Sequence, residues 1–246
     1  LEEKKKEILE LNIPEKLQAL LELNKFSVLQ LIRTGSLSAN WRDFPKIKLG
    51  DLTKISSGGT PLRSNPEYWD GDIPWIKSGE LLDDVNNGSE EYITKNGLSN
   101  SAAKLFPQDT ILVALYGQGK TRGKTGRLLI EASTNQAICG IFPNSNFLSE
   151  YVQYWLRSIY WELRKTASGG AQPNWNSTTI KEKEIKLPPL NEQELIIKKL
   201  KKKISELQEY EKIILNIKEK KQQNMKYINH IQSSILDAAF SGKLVQ

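Results

Sequence analysis

Between Leu190 and Ser241 the chain contains neither proline nor glycine, and no other feature restricts its fold so strongly. Leu187-Pro188-Pro189 closes the preceding region, and Asn191-Glu192-Gln193-Glu194 supplies a cap residue with an acid three positions on, the start signal of a helix. The stretch predicts one uninterrupted helix of roughly 70 Å at about 1.5 Å per residue. Along it Leu207, Tyr210, Ile214, Ile217, Lys221, Asn224, Ile228, Ile231, Ile235 and Ala238 recur at alternating steps of three and four. That is a heptad seam with a polar break at Lys221 and Asn224. Such a stripe is too long to be buried against one small domain, so the helix needs a partner helix.

Two further regions differ from it in pattern. Residues 1–40 read as helical: Pro14 suits a first turn, Leu17, Leu20, Leu21, Val28, Leu31 and Ile32 share one face, and Gly35 marks the stop. Residues 43–188 are rich in Gly, Pro, Asn, Ser and Trp. Short apolar runs at Ile73–Ile76, Thr110–Leu115, Leu128–Ile130 and Ala137–Phe142 alternate there with turn signals at Asp70-Gly71, Asn87-Gly88 and Asn96-Gly97. One amphipathic helix interrupts them, with Tyr151, Trp155, Ile159 and Leu163 four apart. The expected architecture is α+β: a globular domain of irregular strands over 43–188, a helical segment over 1–40 and a long helix over 190–246. The helices are expected to form an antiparallel coiled coil, across a dimer. An internal echo links "SVLQLIRTGSL" (27–37) to "SILDAAFSGKL" (234–244), two helix ends each closed by glycine.

Composition narrows the chemistry. Lys and Arg total 35 against 29 Asp and Glu, a net charge of +6 that favours an anionic partner without establishing one. No apolar run reaches a membrane span, and no signal segment opens the chain. A single cysteine, Cys139, forbids an intrachain disulfide and suits a cytoplasmic location. The single histidine, His230, lies in the long helical pattern without Cys or His neighbours, which argues against a zinc site or a Ser-His-Asp hydrolase.

One stretch imitates a nucleotide-binding enzyme. In "ALYGQGKTRGKT" (114–125), Gly119-Lys120-Thr121 comes after an apolar run, as in a phosphate-binding loop. A true loop leads straight into a helix, whose N-terminal amides hold the phosphate. Here Gly123 and Gly126 come next, then the strand-like Leu128–Ile130, so a basic hairpin is the better reading. Asn65-Pro66-Glu67-Tyr68 similarly approaches a methyltransferase signature but carries Glu67 in place of proline. The paired acids Asp83-Asp84 and Glu90-Glu91 read as solvated loop residues. A phosphate-loop protein, or a coiled-coil interaction protein without DNA function, stands as an alternative at this point.

Four longer stretches carry a resemblance: "KISSGGTPLRSNPEYWDGDIPWIKSGEL" (54–81), "ILVALYGQGKTRGKTGRLLIEASTNQAICGI" (111–141), "GGAQPNWNSTTIKEKEIKLPPLNEQ" (169–193) and the closing "SILDAAFSGKL". Together they resemble the specificity subunit of type I restriction–modification systems. The resemblance implies a target-recognition domain that reads one half of a split duplex DNA sequence. It also implies helices that act as a ruler and as a docking surface for methyltransferase subunits. S-adenosylmethionine and ATP would belong to the methyltransferase and restriction (motor) subunits, so the subunit itself is expected to be non-catalytic, with no cofactor, metal or membrane partner. Such a subunit ordinarily has two recognition domains. This chain shows one, as a half-subunit that dimerises or as a fragment.

Within that frame, cations and amides are the candidate DNA contacts. Cations meet phosphates, Arg also takes guanine, and Asn or Gln take adenine. The candidates are Arg63, Lys77, Gln118, Lys120, Thr121, Arg122, Lys124, Arg127, Gln172, Asn174 and Asn176. Trp69, Trp75 and Trp175 read as core aromatics, and Gly58-Gly59 as a tight backbone passage.

Overall fold

A computed structural model describes residues 13–81, 83–85, 88–116, 121–160 and 176–241. The chain divides into two compact units, one of residues 29–200, the other of residues up to 28 together with those from 201 onward.

Unit 29–200 is built around a five-stranded sheet in the order β2-β10-β7-β8-β4, from Ile55–Ser57, Ile138–Ile141, Ile111–Ala114, Thr125–Leu128 and Asp84–Val85. All neighbours are antiparallel except β4 and β8. A four-stranded sheet runs β5-β3-β9-β6, from Tyr92–Ile93, Trp69–Ile76, Ala132–Thr134 and Leu105–Phe106, with β3 and β9 parallel. A third, two-stranded sheet joins β1, Lys46–Lys48, to β11, Glu184–Lys186.

The central strands β7 and β10 are buried along their whole length, which is why they read as continuous apolar runs rather than alternating ones. Ile76, Leu81, Val85, Phe106, Leu112, Ala114, Leu128, Ala132 and Ile138 form the core between the sheets. Short helices α2 (Leu49–Leu52), α3 (Lys95–Ser99) and α5 (Ser177–Lys181) fill the connections, while α4 (Ser149–Ser158) packs on β7 and β8 through a buried face that includes Tyr151, Trp155 and Leu156. Strand β8 starts earlier than the expected 128–130: it takes in Thr125 and Gly126, both buried. Pairing with β7, in which Val113 faces Thr125, outweighs the low strand propensity of glycine there.

The long helix is α6, Leu190–Phe240, of 51 residues. Its first turns belong to unit 29–200, where Ile196, Ile197 and Leu200 are buried and Gln193 bonds to the backbone of Asn146, Leu148 and Pro188. Helix α1 spans Ile13–Thr34 and stops one residue before Gly35, as its sequence predicts. In the second unit Leu17, Leu21 and Val28 of α1 close over Leu207 and Ile214 of α6. Lys25 pairs with Glu211 at 2.8 Å, and Lys218 donates to Gln18 at 3.3 Å. As the α1 number falls the α6 number rises, so the two helices run antiparallel. The partner helix demanded by the seam is therefore supplied, for Leu207 and Ile214, from within the chain. Tyr210, Ile217, Ile228, Ile231 and Ile235 remain exposed.

No helix among the described residues is long and apolar enough to cross a membrane, and no cluster of three metal-ligating side chains occurs among them. Cys139 is buried on β10, and burial pushes its thiol up to about 12. Burial likewise raises the Tyr151 hydroxyl. Both groups are held neutral by the fold, whereas the unfolded thiol ionises from about its ordinary value of 9.0. The Cys139 contribution to stability is full below that value and is lost as pH rises toward 12. We expect Cys139 to resist a thiol reagent at pH 8 until the chain unfolds, and the melting temperature to fall between pH 9 and about 12. Fast native-state labelling would contradict this placement.

Candidate nucleic-acid interface

The β7–β8 connection is a hairpin. Ala114 N donates to Lys124 O at 2.9 Å, Gly123 N to Ala114 O at 2.8 Å and Lys124 N to Thr121 O at 3.0 Å. Gly123, at φ +87°, makes the turn that returns the chain to β8. Residues 121–128 thus enter a strand and offer no helix N-terminus, which removes the main structural element a nucleotide phosphate would need there.

The turn brings Thr121, Arg122 and Lys124 together. Lys124 is exposed, and Arg122 and Thr121 are half-buried. Gln118, Lys120, Gln172 and Asn174, and with them Trp175, lie outside the described residues. Arg127 sits within β8, where its Nε donates to Asp84 at 3.3 Å. Beneath the hairpin, Arg157 of α4 pairs with Asp83 at 2.7 Å and donates to Thr125 Oγ1 at 3.2 Å. Asp83 and Asp84, read from sequence as simply solvated, therefore serve as surface counter-charges for two arginines.

The two cations of the first motif are also engaged. The Arg63 guanidinium lies 3.8 Å from the Trp69 ring centroid and 4.7 Å from that of Trp75, and pairs with Glu91 at 2.7 Å. Its hydrogen bond lowers the Glu91 carboxyl below its ordinary value. Trp69 and Trp75 stack edge to face at 5.1 Å, and Trp75, 2 % exposed, is a core residue as expected. Lys77 pairs with Glu90 at 2.8 Å, with Glu80 and Glu91 farther off at 3.6 and 4.0 Å. The bond to Glu90, ahead of these neighbours, raises its ammonium above the ordinary value. Glu90 and Glu91 are thus pairing partners, which no local sequence pattern announces. Asn176 caps α5, its side-chain oxygen accepting from Thr179 N at 2.9 Å. Asn65 likewise holds a turn by accepting from Glu67 N, which accounts for the Asn-Pro-Glu-Tyr stretch without chemistry.

The turn between β9 and β10 lies next to the hairpin. Leu115 N donates to Ala137 O at 2.8 Å, and on the other side Gly59 N donates to Thr134 O at 2.9 Å. At its tip stands Gln136, exposed, its side-chain oxygen accepting from the Thr60 hydroxyl. Sequence reasoning passed over this pair, because 76 residues separate its members.

Comparison with known proteins agrees with this architecture. Residues 42–229 match a family model described as the type I restriction modification DNA specificity domain. The chain is 33% identical over 171 residues to the type I restriction enzyme MjaIX specificity subunit of Methanocaldococcus jannaschii, an alignment covering 66% of this chain and 37% of that protein. It is 28% identical over 156 residues to the EcoR124I/EcoR124II specificity subunit of Escherichia coli, covering 62% and 39%. The matched part therefore spans well under half the length of these relatives. Among solved structures, the HsdS subunit from Thermoanaerobacter tengcongensis superimposes with a TM-score of 0.55 at 16% identity, over 86% of this chain and 53% of that one. The type I restriction–modification S subunit from M. genitalium gives 0.54 at 15%, over 82% and 53%. At such identities the likeness is one of fold.

Proposed function

The chain belongs to the family of type I restriction modification DNA specificity domains, and we propose that it reads one half of a bipartite duplex DNA target for a restriction–modification complex. The observation that carries this reading is the family match over residues 42–229, a span that contains the β7–β8 hairpin with Arg122 and Lys124 at its turn. Cations on a turn held by a rigid sheet suit the phosphates of a duplex, and they set register before any base is read.

In this reading residues 43–188 form the target-recognition domain, and residues 1–40 and 190–246 form the helical spacer. The exposed apolar positions Tyr210, Ile217, Ile228, Ile231 and Ile235 serve association, with methyltransferase subunits and with a second copy of the chain. A two-fold pair would present two identical recognition domains and read an inverted repeat with an unread spacer. Catalysis then lies with the partners: methyltransferase subunits holding S-adenosylmethionine and a restriction subunit using ATP, all in the cytoplasm. This chain contributes recognition and position.

The test is co-expression with methyltransferase subunits, then purification and mapping of methylated adenines in the host DNA. We expect a stable complex and methylation at one recurring split sequence. A chain that neither associates with the methyltransferase nor alters where adenines are methylated would overturn the proposal. Light scattering of the purified chain would report a dimer if the two-fold arrangement holds, and a monomer at micromolar concentration would refute it.

A further inference from the structure

We infer that Gln136, held by Thr60, is a sequence-neutral DNA contact that donates its side-chain amide to a backbone phosphate. The inference rests on the DNA-recognition reading above and adds to it a residue outside the basic hairpin.

Sheet topology places this residue. Strand β7 ends at Ala114 and β8 begins at Thr125, so the hairpin turn leaves one end of the five-stranded sheet. Strand β10 runs antiparallel to β7, with Ile138 facing Ala114, and β2 runs antiparallel to β10, with Ser57 facing Cys139. The turn before β10 and the passage after β2 therefore open at that same end. Gln136 stands on the first, one strand from β7, and Thr60 on the second, two strands from it.

The local backbone is fixed from several directions. Asn135 N donates to Ile76 O at 3.1 Å, and Asn135 Oδ1 accepts from Ala137 N at 3.2 Å. Ile138 N donates to Asn135 O at 3.2 Å, and Gly58 N to Ile138 O at 3.0 Å. A long polar side chain at the tip of so constrained a turn would normally sample many rotamers. The Thr60 hydroxyl instead takes the Gln136 Oε1 and holds the amide plane, so little side-chain freedom is left to lose on binding. Pre-orientation of an exposed polar group contributes little to stability and favours a contact that forms later.

The direction of that hydrogen bond favours a donor role for the amide. Reading adenine requires a glutamine to accept with its oxygen and donate with its nitrogen at once. Here Thr60 takes one of the two lone pairs of that oxygen and fixes the amide plane, while among the described residues no group takes either Nε2 hydrogen, so the unused capacity lies mainly on the donor side. The turn therefore offers a neutral donor outward. Phosphate oxygens accept from glutamine amides as readily as from cations, without regard to sequence. Thr121 and Lys124 on the adjoining hairpin provide for the same backbone.

The experiment uses the full chain and its Gln136→Ala, Gln136→Glu and Thr60→Val variants. Fluorescence anisotropy tracks binding both to mixed-sequence duplexes and to duplexes enriched by the wild-type chain from a randomised pool. We expect Gln136→Ala to weaken both classes equally, roughly fivefold, with the salt slope unchanged because no charge is removed. Gln136→Glu should weaken binding further, by setting a carboxylate against phosphate, and Thr60→Val should fall between wild type and Gln136→Ala. A loss confined to the enriched duplexes would make Gln136 a base reader and overturn the phosphate contact. Wild-type affinity in both glutamine variants would overturn the contact while leaving DNA recognition intact. A wild-type chain that binds neither class of duplex would overturn both. Thermal melting checks each variant. The Gln136 changes are at an exposed tip and should leave it unmoved, so they carry the test should Thr60→Val prove unstable.

Discussion

Replacing Arg122 and Lys124 together by alanine is expected to weaken binding to mixed-sequence duplex DNA roughly 50-fold near 0.1 M monovalent salt and to reduce the slope of log affinity against log salt by about 1.8. Each cation that meets a phosphate displaces a condensed counterion and contributes about 0.9 to that slope, so two such contacts account for both figures. The two residues flank Gly123 at the turn, with Lys124 exposed and Arg122 half-buried. Removing either leaves the β7–β8 ladder intact, because the turn is closed by backbone bonds from Ala114, Gly123 and Lys124. An unchanged salt slope in a titration across salt concentrations would take the hairpin out of the interface.

Arg63 and Lys77 should behave differently from Lys124, although sequence alone ranked them beside it. Arg63 is committed to two tryptophan faces and Glu91, and Lys77 to Glu90 with Glu80 and Glu91 nearby. A cation that already has a protein counter-charge must give that up or share it before it neutralises a phosphate. The contrast between these residues and Lys124 is one of environment rather than residue type, and a linear sequence does not display it.

That contrast marks where the sequence was informative. Helix α6 was legible because its fifty-one residues lie in a stretch free of proline and glycine, bounded by Pro188-Pro189 and Gly242, that allows little else. Helix α1 and its stop before Gly35 came from the same local physics. Strands β7 and β10 were visible within a residue or so as apolar runs, because a strand buried on both faces has no polar alternation to hide it. The hairpin could be told from a phosphate loop because Gly123 and Gly126, rather than a helix, come after Thr121. The pairings stayed illegible, since order β2-β10-β7-β8-β4 is set by contacts between distant segments. For the same reason the seam at Leu207 and Ile214 announced a partner helix without saying that α1 of the same chain would cover those two positions. Thr60 and Gln136, and Arg63 and Glu91, are pairs of this kind.

The Gly58-Gly59 passage ties the two sheets together, and its substitution should be among the most damaging single changes in unit 29–200. Gly58 N and Gly59 N donate to Ile138 O and Thr134 O, and Gly59 O accepts from the Trp75 indole at 2.9 Å. A Cβ at Gly58 would press into the side-chain and backbone oxygens of Thr134 and stand 2.6 Å from Asn135 O. One at Gly59 would press into the Ala102 carbonyl and stand 2.5 Å from Ala103 N. The obstacles are largely backbone, which cannot swing aside as a side chain does. Neither glycine has positive φ, so the cost is crowding and not an unfavourable dihedral. Gly58→Ala is therefore expected to cost about 3 kcal/mol or more and to lower the melting temperature by roughly 10 °C. Gly79 is the internal control, for a Cβ there meets nothing within 4 Å and Gly79→Ala should stay within about 0.5 kcal/mol of wild type. Circular dichroism melts of the two variants separate the possibilities. If Gly58→Ala melted with wild type yet lost DNA, the glycines would serve close approach of the duplex. If it unfolds early while Gly79→Ala does not, they serve the crossing of β2, β9 and β10 on which Thr60 and Gln136 are mounted.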